Sequence, residues 1–392
     1  MRSVFILVSI LYCSLAWSQV QYTMEKVFTI PQDEEQPYLF GIVEDVVISD
    51  QGEIYFLDTQ LAEIKVFSIH GEYLRTIGRG GEGPGELLAP GRISLYGEKG
   101  IVVASKRQGR VTLLDRYSGD PLGQFRVQGR KSDLAAIGRF EYLGEEMGNP
   151  TFGAVTMEPT QEGYYYWIRY LAKFTYREGH SILVPDCEIR EVGYNKGKAT
   201  EQNDYFGIWE PWAISDIGTI ILAPYWSRYL IEEVGPEGIV LRSIERDVES
   251  LPRSKLEANR YRNMMWGGYD PKEIGLDLVL EDRQAIVRKI FSRSNGEFWV
   301  DARFNSQDKE DGAYLLFDHF SLDDGFLGTI EIAGEGNSDL DQYYLGKDGF
   351  LLAIHGGDGY IQNLRGKLEN VPDYDLEIAG YRLVGVEAGN DE

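Results

Sequence analysis

Between Asp45 and Gly78 the chain reads DVVISDQGEIYFLDTQLAEIKVFSIHGEYLRTIG. Four short runs, DVVIS, EIYFLD, EIKVFS and EYLRTIG, alternate apolar with polar positions or stay apolar throughout. Turn residues separate them: Asp50-Gln51-Gly52, a loop through Gln60, and His70-Gly71. Period-two runs bounded by Gly, Asp and Asn predict β-strands joined as hairpins. The order of strand, turn, strand, loop, strand, turn returns from Gly91 to Val127, from Ala213 to Ile244 and from Ile290 to Ile332. Tyr343 to Gly366 supplies a partial copy. The stretch from Phe140 to Trp212, with its aromatic run Tyr164 to Tyr176, is predicted to be one more, irregular unit.

Six such units average about 62 residues, longer than common propeller repeats, so insertions are expected. A four-stranded unit cannot cover both of its faces alone, and radial repetition solves this while protecting most sheet edges. The fold class predicted is all-β: a six-bladed β-propeller of four-stranded antiparallel blades, forming a single domain over residues 19–392. The last copy is short of a strand, and Tyr22 to Ile30 (YTMEKVFTI) is expected to supply it. Helix-forming composition at Leu251 to Met265, with Ser254 as N-cap, and at Glu281 to Ile290 predicts a short helical insertion around 251–290.

The first 18 residues follow a different pattern. Arg2 precedes an apolar run from Val4 to Leu15, and Ala16 and Ser18 place small residues at −3 and −1 of a cleavage site before Gln19. Residues 1–18 are read as a signal peptide, with an uncleaved anchor as the alternative; Tyr12 before Cys13 argues against a lipoprotein signal. The protein is therefore expected to be exported, periplasmic or extracellular, without membrane insertion after cleavage. Cleavage leaves Cys187 as the lone cysteine, so no internal disulfide is available. With 39 basic and 63 acidic side chains the net charge is −24, which repels nucleic acid and anionic lipid and tolerates cations.

Thr76 to Pro90, TIGRGGEGPGELLAP, contains a literal G-x-G-x-x-G at Gly78, Gly80 and Gly83. A phosphate-binding loop needs a helix directly after it, and here Pro84 and Gly85 follow instead. No Lys-Ser or Lys-Thr pair follows either. The glycines suit a tight connection that needs positive φ.

Together, GEIYFLD, IKVFSIHGEYLRTIGRGGEGPGELLAP, GEFWVD and YLIEEVGPEGIVLRSIERDVESLPRS resemble the bacterial six-bladed β-propeller proteins related to NHL-repeat proteins. The resemblance implies that Gly78, Arg79, Gly80, Gly83, Pro84, Gly85 and Glu86 form an inter-blade crossover, with Arg79 and Glu86 as candidate tethers. A shared fold does not fix an activity.

Candidate chemistry is sparse. His70, His180, His319 and His355 are far apart in sequence, and neither a nucleophile elbow nor a Cys/His pair can be argued. The acidic stretches Leu322 to Gly325 and Asp339 to Gln342 lack a calcium-loop pattern and read as turns. Aligning the repeats places Asp58, Ser105, Pro224 or Tyr225, Asp301, and Ile354 or His355 at the ends of second strands, whose loops gather around the channel mouth. Asp58, Asp301 and His355 from different blades could converge on a divalent cation such as calcium. Propeller lactonases similar to gluconolactonase bind a metal in a comparable place. The competing reading is that these carboxylates cap their own loops. Two functions follow: a binding scaffold for a protein, peptide or glycan, or a metal-dependent hydrolase or lyase at the channel mouth. The aromatic run at Tyr164 to Tyr176 suits sugar stacking or a blade interior.

Overall fold

A computed structural model describes residues 18–386, apart from 34, 106–108, 130–135, 160–165, 179–181, 184–186, 197, 201–210, 236, 254–276, 303–311, 339–340, 347 and 358–375. Blade 1 is the meander Val43–Ile48, Glu53–Asp58, Glu63–Ser68, Tyr73–Ile77. Blade 2 is Pro90–Tyr96, Gly100–Ser105, Arg110–Asp115, Pro121–Val127. Blade 3, the irregular unit, is Ala136–Glu146, Asn149–Pro159, Tyr166–Thr175 and Cys187–Lys196. Blade 4 is Trp212–Ile214, Ile220–Leu222, Tyr229–Val234, Val240–Arg246. Blade 5 is Val287–Ser292, Glu297–Ala302, Ala313–Ser321, Gly325–Ala333. Blade 6 combines Gln342–Leu345, Phe350–His355 and Glu377–Gly385 with the N-terminal strand Ser18–Ile30.

The first strands of blades 1 to 5 lie side by side in order, and that of blade 6 lies beside that of blade 1. Six hydrophobic clusters fill the six seams. Strand periodicity explains how one sheet serves two seams. In Glu53–Asp58, Ile54 and Phe56 pack with Phe350, Leu352 and Ile354 of blade 6. Tyr55 and Leu57 pack with Ile93, Ile101 and Val103 of blade 2. In Gly100–Ser105, Val102 and Ala104 turn instead to Phe140, Phe152 and Phe174 of blade 3. Burying a phenylalanine in such a seam stabilises by roughly 1.5–3 kcal/mol. Closure by the seam between blades 6 and 1 makes the molecule a six-bladed β-propeller.

Ser18–Ile30 does more than complete blade 6. Tyr22 to Ile30 pair antiparallel with Gly385 to Ile378, while Ser18 to Thr23 pair in parallel with Gly328 to Ala333 on the outer strand of blade 5. One strand thus ties two blades. Its Phe28 sits against Gly71 in the last hairpin of blade 1, where a Cβ would come within 2.5 Å of the ring. Gly71 also has φ +83°, unfavourable for any side chain. Gly71→Ala is expected to cost about 1–3 kcal/mol, read as a lower urea midpoint with unchanged slope.

The helical expectation is corrected in part. Glu281 to Ile286 form an irregular connection, and Val287 to Ile290 begin a strand paired with Glu297–Ala302. Pairing and burial of Ile286, Val287 and Ile290 in the blade 4–5 seam override the local helix propensity. Of the first segment, Pro252 bridges Arg283, and residues 254–265 lie outside the described residues.

Candidate functional site

In a four-stranded meander the end of the second strand and the blade-to-blade crossover share one face. Asp58 ends the second strand of blade 1 and is fully buried. It accepts backbone N–H bonds from Gly41 (2.6 Å), Ile42 (3.3 Å), Gln60 (3.0 Å) and Leu61 (2.9 Å). Lys65, equally buried, lies 3.6 Å from Asp58 and 3.2 Å from Glu63, over the ring of Phe40. Asp58 therefore clamps the entry into blade 1 to its own loop.

The other strand ends make comparable links. Ser105 Oγ donates to the Leu88 carbonyl at 2.6 Å, fastening the crossover to blade 2. Asp301 accepts from the Tyr343 hydroxyl of blade 6 and lies 3.6 Å from Arg288. Ile354 is buried in the seam with blade 1, and Tyr225, next to Pro224, is 40% exposed with the Arg228 guanidinium 5.6 Å from its ring.

His355 belongs to a polar chain at the seam of blades 5 and 6. Its Nδ1 is 2.8 Å from Asp341 Oδ2, and its Nε2 is 2.8 Å from the Tyr381 hydroxyl. Asp341 also accepts from Tyr314 (3.0 Å) and from the N–H groups of Asn337 (2.9 Å) and Gly356 (2.8 Å). Burial alone would raise the Asp341 pKa, but the bonds from His355, Gly356 and Asn337 hold it below the usual carboxylate value. Burial pushes the Tyr314 and Tyr381 phenols up. At the seam of blades 4 and 5, buried Asp318 accepts from Tyr229 (2.7 Å) and pairs with Arg246. Glu53, paired with Arg75 at 2.7 Å, likewise titrates low despite its burial.

These depressed carboxylates set the acid response. A carboxylate with a lowered folded pKa adds stability above its unfolded pKa of about 4, lost as pH falls through the folded value. The unfolding midpoint is expected to hold from pH 7 to about 5 and to fall below about 4. Asp341→Asn should flatten that acid fall, as thermal melts across the pH range would show.

The glycine-rich segment joins the outer strand of blade 1 to the inner strand of blade 2. Gly80 bridges Leu87, and Gly78 and Gly85 have φ +75° and +76°. Glu86 accepts from the Gly83 N–H (2.8 Å) and pairs with Arg79 (2.9 Å), so this pair closes the loop Gly80–Gly85 on itself. Besides Ser105, Arg110 links it to blade 2, donating to the carbonyls of Gly83 (2.9 Å) and Glu86 (3.1 Å).

Asp58, Asp301 and His355 are thus each held in a separate bonding set. Among the described residues no group of three or more His, Cys, Asp or Glu is arranged to hold a metal ion. His319 bonds Glu297 at 2.9 Å within its blade, and His180 lies outside the described residues. The sequence singles out none of Lys65, Asp318, Tyr314 and Tyr381, and Asp341 reads there only as part of an acidic turn. Asp341 left one signal, an acidic residue directly before the aromatic strand QYYL.

Ring closure and seam chemistry define a six-bladed propeller in which Asp301, Asp318 and Asp341 each bond across a seam between blades. The chain belongs to the DUF5128 family, described as a 6-bladed beta-propeller, whose model matches residues 18–227. A search of curated proteins finds no significant match. Among solved structures, a DUF4221 family member from Bacteroides vulgatus ATCC 8482 is similar at TM-score 0.52 and 11% identity, covering 94% of this chain and 99% of that one. A Bacteroides fragilis NCTC 9343 protein, provisionally named as exported, gives TM-score 0.49 and 13% identity over 94% of this chain and 100% of its own. The calcium-binding protein regucalcin from Agrobacterium tumefaciens C58 gives 0.42 and 11%, covering 92% and 96%. At these identities the likeness concerns the fold.

Proposed function

We propose that this protein is an exported scaffold that binds a protein, peptide or glycan on the propeller face bearing the second-strand ends. The observation that carries the reading is the fate of those ends. Asp58, Ser105 and Asp301 are engaged in bonds that position loops and seams, while Tyr225 stands exposed beside Arg228. An aromatic ring next to a guanidinium offers a stacking surface and hydrogen-bond donors without a reacting group. The leader-like residues 1–18 support export.

The test is binding of the mature chain to glycan and peptide arrays. Saturable binding weakened at least tenfold, about 1.4 kcal/mol, by Tyr225→Ala is the expected result. Binding indifferent to Tyr225, or a thermal midpoint raised several degrees by calcium and reversed by chelator, would overturn it.

A further inference from the structure

The hairpin between the first two strands of blade 5 lies on the face opposite Tyr225, since one of these loops precedes a second strand and the other follows one. It carries Arg293, a cation that is positioned without being neutralised. Its guanidinium lies 4.7 Å from the centre of the buried Trp299 ring, and Nη1 donates to the Gly346 carbonyl of blade 6 at 2.8 Å. The turn itself is pinned, because Asp216 of blade 4 accepts from the Gly296 N–H at 3.2 Å. Ring and carbonyl together fix the plane of the fork. Nε and Nη2, however, donate to no acceptor among the described residues, and no carboxylate among them pairs with Arg293. Burial lowers the Arg293 pKa, while Glu297 and Asp348 act on it from farther off.

The obvious internal partner is engaged elsewhere. Arg293 and Glu297 oppose each other across the hairpin, with the Arg293 N–H bonded to the Glu297 carbonyl at 2.8 Å. Opposed residues of an antiparallel pair share one side of the sheet. Yet the Glu297 carboxylate is turned to His319 on the next strand, 2.9 Å from its Nε2. A guanidinium stays charged, and taking it out of water without a counter-ion is costly. Arg293 is only half-buried, so its unused edge still meets solvent. Two N–H groups side by side on that edge match the two oxygens of a carboxylate.

We propose that the Nε/Nη2 edge of Arg293 binds the carboxylate of a small solute, with Trp299 behind the guanidinium and His319 holding Glu297 aside. One positive charge suits a single negative one. A dianion such as sulfate would bring its second charge against Glu297 and the exposed Asp348. The site shares no residue with the face that bears Tyr225, so failure here leaves the array result standing, and the reverse holds.

The probe is acetate, exchanged for chloride at constant ionic strength into the mature chain labelled at arginine Nε for NMR. One Nε–H resonance, absent from Arg293→Lys, is expected to shift saturably. Glu297→Gln removes the competing charge and should tighten acetate about threefold. His319→Ala releases Glu297 towards the fork and should weaken it by a similar factor, and sulfate should bind less tightly than acetate. A shift that does not saturate, or that chloride reproduces, overturns the proposal, because it reports screening alone. An acetate affinity indifferent to Glu297→Gln overturns it by placing the anion elsewhere. Tighter binding of sulfate overturns it in favour of a general oxyanion site. The Glu297→Gln comparison leaves Arg293 in place, so it decides the matter even where Arg293→Lys fails to fold.

Discussion

Asp58→Ala is expected to lower stability by about 3–5 kcal/mol, the cost of leaving one member of a buried ion pair behind. The loss has two sources. Four backbone N–H groups, on Gly41, Ile42, Gln60 and Leu61, lose their acceptor. Lys65 loses its buried partner in a site with almost no solvent, leaving Glu63 and the Phe40 ring beside it. Urea unfolding followed by tryptophan fluorescence reads the change. Adding Lys65→Met should recover part of it, because an apolar side chain removes the unpaired charge. A loss below about 1 kcal/mol for Asp58→Ala would mean that the loop holds without its clamp.

Deleting residues 19–30 is expected to have the larger effect, with loss of cooperative unfolding at 25 °C. The deletion strips the outer strand from blade 6 and uncovers the outer strand of blade 5. It also removes Ile30 and Phe28 from the seam that closes the ring. A marginal stability of about 5–15 kcal/mol does not survive such a loss. Calorimetry should find no sharp transition, and a synthetic peptide of residues 18–30 should restore one. A deleted chain that melts cooperatively near the full-length midpoint would show that the ring closes without this strand.

The strands were legible wherever turn residues and period-two runs coincide, as from Asp45 to Gly78. Ile54/Phe56 against Tyr55/Leu57 already shows two buried faces and hence a strand between neighbours. Glu281 to Ile290 misled because Glu, Arg, Gln and Ala favour helix locally, while pairing with Glu297–Ala302 decides the outcome. The parallel pairing of Ser18 to Thr23 with blade 5 has no periodic mark, since it depends on residues about 310 positions away. The polar seams were the least legible. Asp341 looks like any turn carboxylate until Tyr314, His355 and the Gly356 N–H arrive from both sides. Asp58 could be singled out by position, but neither its burial nor Lys65 beneath it has a sequence pattern.

The shared strand also dictates an order of events. Ser18–Ile30 leaves the ribosome, or a secretion channel, before almost everything it pairs with. Its partners Gly325–Ala333 and Glu377–Gly385 come last. Until then an amphipathic strand stays unsatisfied, and the ring must wait for its own tail. Contacts so distant in sequence close slowly. Folding of this propeller is therefore timed by the arrival of its C-terminal strands, and the waiting strand is the segment a chaperone would have to shield.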